Sequence, residues 1–318
     1  MNVTQLRAFD AVARESSFSK AAALLGLTQP ALTIQVRAIE ELYGVKLFDR
    51  IGRTVTLTEV GRSLFEVSRR LFTLEEEAQE LLTDSRELRG GRLRVAADGP
   101  HIVMGMFVRF LQRYPDVRLS VTLGNTRFVR QELLDRRVDV GILPALEGSD
   151  DFVSVPLWRH TAVLIVPLNH PWAERRSVRI KELDGQPMLM REEGSNTQKK
   201  LNAALARAGV RPKVVLELGS REGVLGAVAA GLGFGVVWKV EAAGDGRFRM
   251  LEIRDTEMQS VDYVACRKSE RNRRVVRAMM EIAEAVHKTA AAMKNLERSR
   301  GLKTDDHWRV PSQALIKS

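Results

Sequence analysis

The sequence predicts an α/β protein with three parts: a helical N-terminal module, a long linking helix and a larger region of two α/β subdomains. Two short helical patterns meet at a tight junction around Gly26, and a basic hairpin candidate follows them. Apolar residues then recur at alternating steps of three and four from Leu64 onwards. After Gly91, strand-like and helix-like segments alternate, which favours parallel α/β sheets.

Composition limits the classes of protein that fit. A chain of 318 residues is long enough for about two domains, and its apolar content of 44% is ordinary for a globular protein. We see no secretory signal, and the longest apolar stretch, 224–238, is too short and too rich in glycine to span a bilayer. We therefore expect a cytoplasmic protein without a membrane partner.

Net charge and the cysteine and histidine residues say less about the binding partners of the protein. The net charge is +10, but most of the excess lies after residue 265, so bulk charge does not by itself indicate a nucleic-acid partner. Cys266 is the single cysteine and the five histidines are scattered. We expect no metal site, no intramolecular disulfide and no cofactor.

The N-terminal module predicts three short helices. Thr4 is the expected N-cap of the first, Phe18 enters the second, and Gly26 suits the left-handed residue that ends it. Thr28 is expected to cap the third helix, because Pro30 is tolerated in a first turn.

The third helix predicts two faces. Its apolar face should pack on the first two helices and consists of Leu32, Val36, Ile39 and Tyr43. Its other side carries residue types that can contact base edges or phosphates: Gln29, Pro30, Thr33, Ile34 and Arg37. The hairpin candidate Phe48 to Leu57 adds Arg50, Arg53 and Thr54, which are either phosphate or minor-groove contacts or a solvated turn. Together these features predict a winged helix-turn-helix that enters a DNA major groove.

The linking helix is expected to start at Thr58 and run to about Arg89. A heptad seam continues to Leu88 and favours pairing with a second chain. The residues expected to dimerise are Leu64, Val67, Leu71, Leu74, Ala78 and Leu81. The alternative is an amphipathic helix packed on its own domain. A dimer would place two recognition helices on the half-sites of an inverted repeat.

At this point the residues resemble a known family. The segment LRAFDAVARESSFSKAAALLGLTQPALTIQVRAIEELYGVKLFDRIGRTVTLTEVG is similar to the DNA-binding module of LysR-type transcriptional regulators, and the chain to about residue 290 is similar to their effector-binding region. The resemblance implies winged-helix dimers that assemble to homotetramers, a periplasmic-binding-protein-like effector domain and a small-molecule inducer. Ile34 stands where many members have a polar or charged residue, so base preference does not carry over.

A narrower resemblance concerns the effector half. The segments RVAADGPHIV, GNTRFV, LLDRRVDVGIL, REEGSNTQKK and ELGSREGVLGAVAAGLGFGVV are similar to a subgroup associated with 2-aminoethylphosphonate catabolism. That resemblance implies a small anionic or zwitterionic effector.

Four loops at predicted strand ends or helix starts form the expected effector site, because helix N-termini favour anions. The expected effector-binding residues are Gly99, Pro100, His101, Asn125, Thr126, Ser195, Asn196, Thr197, Ser220 and Arg221. The alternative for the hydroxyl and amide side chains is helix capping alone. Asp98 and Glu193 are candidates for contacting an ammonium group. Gly231, Gly233 and Gly235 follow a predicted helix rather than precede one, so they favour a helix end and close packing over a nucleotide site.

These features predict a winged helix-turn-helix domain (1–58), a linker and dimerisation helix (59–90), an effector-binding domain (91–290) and a C-terminal tail (291–318). Within the effector domain we expect one subdomain from 91–162 and 264–290, including a helix from Arg271 to Val286, and another from 163–263. The expected function is a ligand-controlled DNA-binding regulator and not an enzyme. The alternatives are an effector-independent DNA-bridging protein, a solute-binding or enzymatic domain fused to a DNA-binding module, and a redox sensor that uses Cys266.

Overall fold

The structure, a computed structural model, describes residues 1–51, 54–82, 91–144 and 150–299, without the side chains of 50, 51, 54, 76, 77, 79–82, 100–102 and 290–299. The chain divides into two compact units, Met1–Arg86 with Asp135–Arg137, and Glu87–Leu134 with Val138–Ser318. No helix in the described ranges is long and apolar enough to cross a membrane.

Three short helices open the first unit: α1 (Val3–Glu15), α2 (Phe18–Leu25) and α3 (Gln29–Tyr43). The expected cap at Thr4 is wrong, because the Asn2 side chain accepts from the Gln5 amide and Gln5 reaches back to the Asn2 amide. Gly26 ends α2 in the left-handed conformation (φ 66°), as expected. Thr28 caps α3, which confirms the predicted start of that helix.

The apolar face of α3 packs on the first two helices. Leu32, Val36 and Ile39 are buried as predicted, but the fourth member of that face, Tyr43, is 58% exposed. Tyr43 is the last residue of α3, and the last buried residue on that face is Ile39, one turn earlier. The apolar face therefore ends one turn earlier than its periodicity indicates.

The predicted wing is present as an antiparallel hairpin of β1 (Phe48–Ile51) and β2 (Thr54–Leu57). Phe48 anchors it, with ring centroids 5.4 Å from Phe9 and 5.6 Å from Phe18. The wing is thereby fixed to α1 and α2 through aromatic packing.

The linking helix α4 (Glu59–Leu82) starts where the sequence predicts. The Thr58 hydroxyl accepts from the Gly61 amide at 2.9 Å and donates to the Lys46 carbonyl at 2.7 Å. A Cβ at position 61 would lie 2.1 Å from the Leu47 carbonyl oxygen, so only glycine lets the start of α4 approach the backbone before the wing. The expected end of this helix near residue 89 lies outside the described residues.

The second unit alternates strands and helices, as predicted. Its first elements are β3 (Arg92–Ala97), α5 (Pro100–Arg113), β4 (Arg118–Leu123), α6 (Thr126–Leu134), β5 (Val140–Pro144) and β6 (Phe152–Pro167). The next are β7 (Ser177–Val178), a 3-10 helix (Ile180–Leu183), β8 (Pro187–Arg191), α7 (Asn196–Ala208), β9 (Lys213–Leu218) and α8 (Arg221–Ala229). The last are β10 (Gly235–Trp238), α9 (Lys239–Ala242), β11 (Phe248–Ile253), β12 (Gln259–Arg267), a 3-10 helix (Lys268–Glu270) and α10 (Arg274–Ser299).

The sheets are mixed, which corrects the expectation of parallel sheets. Eight of the described strands join in the order β4-β3-β5-β12-β6-β11-β7, with β10 paired to β6. Pairs of β3 with β4 and β5 are parallel, as are β8 with β9 and β11 with β7, but β12 and β6 are antiparallel to each other and to all their other partners. Every pairing of the two long strands is therefore antiparallel, and the parallel pairs lie between other strands.

Separate apolar cores lie along this sheet. One packs α5 and α10 against β3 and β5, and includes the fully buried Phe110 and Met279. Another packs α7 against β8 and β10 around Phe234. The glycine run before β10 behaves as predicted: Gly231 (φ 82°) follows α8, and a Cβ on Gly235 would lie 2.6 Å from Val224.

Candidate DNA-binding surface and effector cleft

The outward face of α3 carries the predicted base- and phosphate-contacting residues. Ile34 is 65% exposed, whereas Leu32, two positions earlier in the helix, is fully buried. Gln29, Pro30 and Arg37 are exposed, and Thr33 is half-buried. The helix therefore presents polar, cationic and branched apolar groups on one side of the N-terminal unit.

Two hydrogen bonds orient this face. The Ser19 hydroxyl donates to Oε1 of Gln29 at 2.8 Å, and the Thr33 hydroxyl donates to the backbone carbonyl of Gln29 at 2.8 Å. The Nε2 hydrogens of Gln29 and the methyl group of Thr33 remain available for outward contacts. Ser19 was missed from the sequence, because its partner lies in a different helix and hydroxyls near helix starts usually indicate caps.

The wing residues are only partly described. Arg50 and Thr54 occupy the facing strands β1 and β2, where Arg50 pairs with Val55 and Thr54 with Ile51. Their side chains, and the whole of Arg53, lie outside the described residues.

The linker helix α4 presents two apolar faces. Phe65 and Phe72 are buried in the core of the N-terminal unit. The predicted seam lies on a different side: Leu64 is half-buried, and its exposed members are Val67 (56%), Leu71 (40%), Leu74 (64%) and Ala78. The side chain of Leu81 lies outside the described residues. Packing on its own domain therefore uses the phenylalanines and leaves most of the seam uncovered.

In the effector half, Arg221 joins the loop after β3 to the start of α8 and α9. Its guanidinium lies 3.0 Å from the Asp98 carboxylate and 2.9 Å from that of Glu241, and it also donates to the Asp98 carbonyl. The Thr126 hydroxyl donates to the other Asp98 carboxylate oxygen. Asp98 thus contacts two other residues expected near an effector, Thr126 and Arg221.

Burial determines the electrostatics of this cluster. Withdrawal from water raises the pKa of Asp98 above its usual value, against the opposing effects of the Thr126 hydroxyl and Arg221. Burial likewise raises the pKa of Glu241, which Arg221 partly offsets. One guanidinium therefore serves two carboxyl groups that are both easier to protonate than usual.

A second polar cluster surrounds Asn125. Its Nδ2 donates to Glu192 at 3.0 Å, while its Oδ1 accepts from the Phe128 amide and caps α6. Arg191 holds Glu192 by two hydrogen bonds of 2.8 Å. A Cβ on Gly194 would lie 2.5 Å from Asn125 Nδ2, so glycine at this position permits the approach of the two loops.

The Ser195-Asn196-Thr197 group lies at the N-terminus of α7. Ser195 is buried and its hydroxyl caps the helix by accepting from the Gln198 amide. Asn196 donates to the Ser260 hydroxyl at 2.9 Å, and Thr197 is buried. Ser195 therefore caps α7, and the start of the helix also borders open space.

That open space is a cavity of about 760 Å³. Thr126, Ser195 and Asn196 line it, together with residues from β5, β6, α6, α7 and β12. Among the described lining residues, six are cationic and two, Glu193 and Glu257, are acidic. The cationic residues are Arg127, Arg130, Arg159, Lys199, Lys200 and Arg207.

Other predicted effector residues lie away from this cavity. Gly99 is buried before α5 and Asn125 is bound to Glu192, while Thr197 packs inward. Ser220 is exposed and caps α8. Arg221 does not line the cavity. The side chains of Pro100 and His101 lie outside the described residues.

The cationic lining was only partly accessible from the sequence. Asn196, Lys200, Ala203 and Arg207 recur at steps of four, three and four, which places them on one helix face opposite the buried Leu201 and Leu205. Arg159 lies in β6 and outside this helical pattern, so no spacing in the sequence connects it with the other cationic residues.

The single cysteine has no features of a reactive thiol. Cys266 is fully buried in β12, and this burial raises its pKa to about 11.

Comparison with known proteins follows the same division of the chain. Residues 3–62 match the family model for bacterial regulatory helix-turn-helix proteins of the lysR family, and residues 86–288 match that for the LysR substrate binding domain. The HTH-type transcriptional activator CmpR of Synechocystis sp. is 29% identical over 270 residues, covering 83% of this chain and 89% of that protein.

Solved structures have the same fold. Full-length OxyR from Pseudomonas aeruginosa superposes with a TM-score of 0.73 at 23% identity, covering 89% of this chain and 94% of the other. The regulatory domain of Synechocystis CcmR, solved in complex with 2-PG, superposes with a TM-score of 0.58 at 26% identity, covering 62% of this chain and 98% of the other. Since the two family models together span most of the sequence, the chain belongs to the LysR family of bacterial transcriptional regulators.

Proposed function

We propose that this LysR-family regulator reads promoter DNA with α3 and is controlled by a small anionic effector in the cavity beside α6 and α7. The main support for control by an effector is the cavity, which combines two helix N-termini with a strongly cationic lining. Free amides at helix starts and cationic side chains both favour carboxylate, phosphate or phosphonate groups.

On the DNA side, Gln29, Thr33 and Ile34 contact base edges in the major groove, and Pro30 packs beside them. Support comes from the exposure of this face and from the hydrogen bonds that orient Gln29 and Thr33. Arg37, one turn further along the helix, contacts phosphate. Arg50, Arg53 and Thr54 of the wing contact the adjacent backbone or minor groove.

The active species is a homodimer that assembles to a homotetramer. The exposed seam of α4 supports the dimer, because exposed leucines at heptad spacing are characteristic of paired helices. Exposed apolar side chains in the effector unit, on α5 (Met104, Val108 and Leu111) and β9 (Val214 and Val215), support a further contact between chains. Paired α3 helices then bind the two halves of an inverted-repeat DNA site. Binding to chromosomal DNA requires the cytoplasmic location expected from the sequence.

The effector is a small anion or zwitterion, such as 2-aminoethylphosphonate. Its phosphonate group suits the starts of α6 and α7, and Glu193 and Glu257 supply carboxylates that an ammonium group can contact. The complex of CcmR with 2-PG supports a small-molecule ligand in this type of domain.

Effector binding is coupled to DNA through subdomain and tetramer geometry. Such coupling typically requires about 1–3 kcal/mol of difference in ligand affinity between two states. The cavity favours this function over effector-independent DNA bridging, which needs no selective pocket.

DNase footprinting of promoters near the gene, with and without 2-aminoethylphosphonate and related phosphonates, tests the proposal. We expect a protected region whose extent changes with ligand. A parallel thermal-unfolding screen should show stabilisation of about 2.7 kcal/mol at 100 times the dissociation constant. DNA protection that no ligand alters, together with unchanged unfolding, would favour the bridging alternative.

A further inference from the structure

We infer that the effector carries a second anionic group, which binds one helical turn beyond the first, beside Lys199 and Lys200. This inference rests on the proposed function and narrows its ligand class to dianions such as phosphonocarboxylates, phosphorylated acids or bisphosphates. Among the small anions and zwitterions of the proposed function, dianions should bind more tightly than zwitterions such as 2-aminoethylphosphonate.

The cavity lining carries an excess of positive charge. Six cationic and two acidic residues line the cavity within the described part of the chain. One acid, Glu193, is already paired with Arg127 at 3.1 Å, and Arg159 is held by Gln259 at 2.9 Å. A single anionic group at the helix starts would leave most of this positive charge uncompensated.

The positive charge extends along α7 from the start of the helix. Ser195 and Asn196 line the cavity at the start of α7, and Lys199 and Lys200 follow one turn later on the same face. One helical turn advances about 5.4 Å, which a two-carbon spacer between two anionic groups can bridge. Both lysines are exposed, so each can turn its ammonium group toward a ligand.

A ligand with a cationic second group fits this part of the cavity poorly. An ammonium group at the second position would lie among Lys199, Lys200 and Arg207. Like charges at such separations repel, and Glu193 is partly neutralised by Arg127. The second position therefore discriminates between anionic and cationic ends of otherwise equal ligands.

Three ligands of matched length separate these possibilities: propylphosphonate, 2-aminoethylphosphonate and 3-phosphonopropionate. Calorimetry on the full-length protein should show that 3-phosphonopropionate binds about tenfold or more tightly than propylphosphonate, as a charge-assisted contact would give. The advantage should shrink in high salt, where exposed charges are screened. Equal affinities, or tightest binding of 2-aminoethylphosphonate, would overturn the inference while leaving the proposed regulator intact.

Substitutions of the two lysines test whether the second anionic group binds beside them. In the Lys199→Gln/Lys200→Gln double variant, 3-phosphonopropionate should lose about tenfold in affinity while propylphosphonate changes less than about twofold. Lys213→Gln removes a charge from the exposed part of β9 and should leave both affinities unchanged. Equal losses for both ligands, or no loss in the double variant, would refute the lysine site. Failure of all three ligands to bind, with promoter binding intact, would refute this ligand class, whereas loss of promoter binding refutes the proposed function itself.

Discussion

The guanidinium of Arg221 lies 3.0 Å from the carboxylate of Asp98, in the loops where the sequence predicts an anionic effector. The same guanidinium lies 2.9 Å from Glu241, and Arg221 does not line the proposed effector cavity. The side chains of Asp98 and Arg221 are 17% and 10% exposed, so their pairing is largely shielded from solvent. The pair therefore links the loop after β3 to the start of α8 rather than offering a free cation to the effector.

Asp98→Asn should therefore leave the affinity for a simple anion unchanged. Arg221 keeps Glu241 as a partner at 2.9 Å and lies off the cavity lining, so propanesulfonate affinity should change by less than about twofold, well under the effect of one charged hydrogen bond. Asp116→Asn, at an exposed site, is the matched control. Binding to the Asp98 variant that is about tenfold tighter, measured by calorimetry, would show that Arg221 contacts the anion once Asp98 is neutral.

The same pair predicts a dependence on pH. Burial raises the pKa of Asp98 and Glu241 in the folded protein, so between the ordinary and the raised values the folded state binds more protons than the unfolded state. Their contribution to stability is present at low pH and is lost as pH rises through the raised pKa. Urea unfolding at a series of pH values should show this loss, and Asp98→Asn should reduce the slope of the free energy of unfolding against pH. An unchanged slope in the variant would contradict the role of Asp98.

A buried ion network predicts a large loss of stability on mutation. Asp139 is 1% exposed, lies 2.7 Å from both Arg94 and Arg273, and accepts from the Arg94 amide. Although burial opposes ionisation, Arg94 and Arg273 hold the pKa of Asp139 well below its usual range. Asp139→Asn should lower the free energy of unfolding at neutral pH by about 3–5 kcal/mol, because two arginines lose their buried partner.

Urea unfolding measures this effect, with Asp245→Asn as a control that breaks an exposed pair with Arg247 and should change little. Because the folded pKa of Asp139 is depressed, its stabilisation is present above the unfolded value of about 3.9 and is lost as pH falls toward the folded value. The difference between wild type and the Asp139 variant should therefore narrow in acid. A constant difference at all pH values would contradict the role of this charge.

The uncovered seam of α4 predicts the assembly phenotype. Leu74→Asp should abolish dimers, because a charge would enter the apolar contact between two helices, while leaving the monomer folded. Phe72→Ala, on the buried face, should instead lower the unfolding temperature. Light scattering and circular dichroism separate the two outcomes, and full oligomer size in the Leu74 variant would exclude the seam as the interface.

Cys266 predicts insensitivity to oxidants. A fully buried thiol with a pKa near 11 is almost entirely protonated at pH 7, and the thiolate is the reactive form. Peroxide should leave promoter binding unchanged in the wild type and in Cys266→Ser alike. A peroxide response lost in the serine variant would reinstate the redox-sensor alternative; the shared fold with OxyR carries no such activity by itself.

Local patterns predicted much of this molecule, and contacts between distant residues explain what they missed. The cap at Thr28, the turn at Gly26 and the exposed Ile34 follow from residues within one or two helical turns. The pairing of Asp98 with Arg221 joins residues 123 positions apart, and no periodicity reports it. The antiparallel pairing of β6 and β12 is likewise set by chain crossing between subdomains, which local alternation does not encode.

Entry of α3 into the major groove is tested most directly by measuring promoter binding of the Thr33→Ala and Arg37→Ala variants. Affinities should be measured at fixed salt on the promoter and on copies with single base-pair changes. We predict that Arg37→Ala weakens binding to every sequence and reduces the salt slope by about one, whereas Thr33→Ala alters the ranking at particular base pairs. Equal effects of both substitutions on all sequences, or no effect of either, would contradict it.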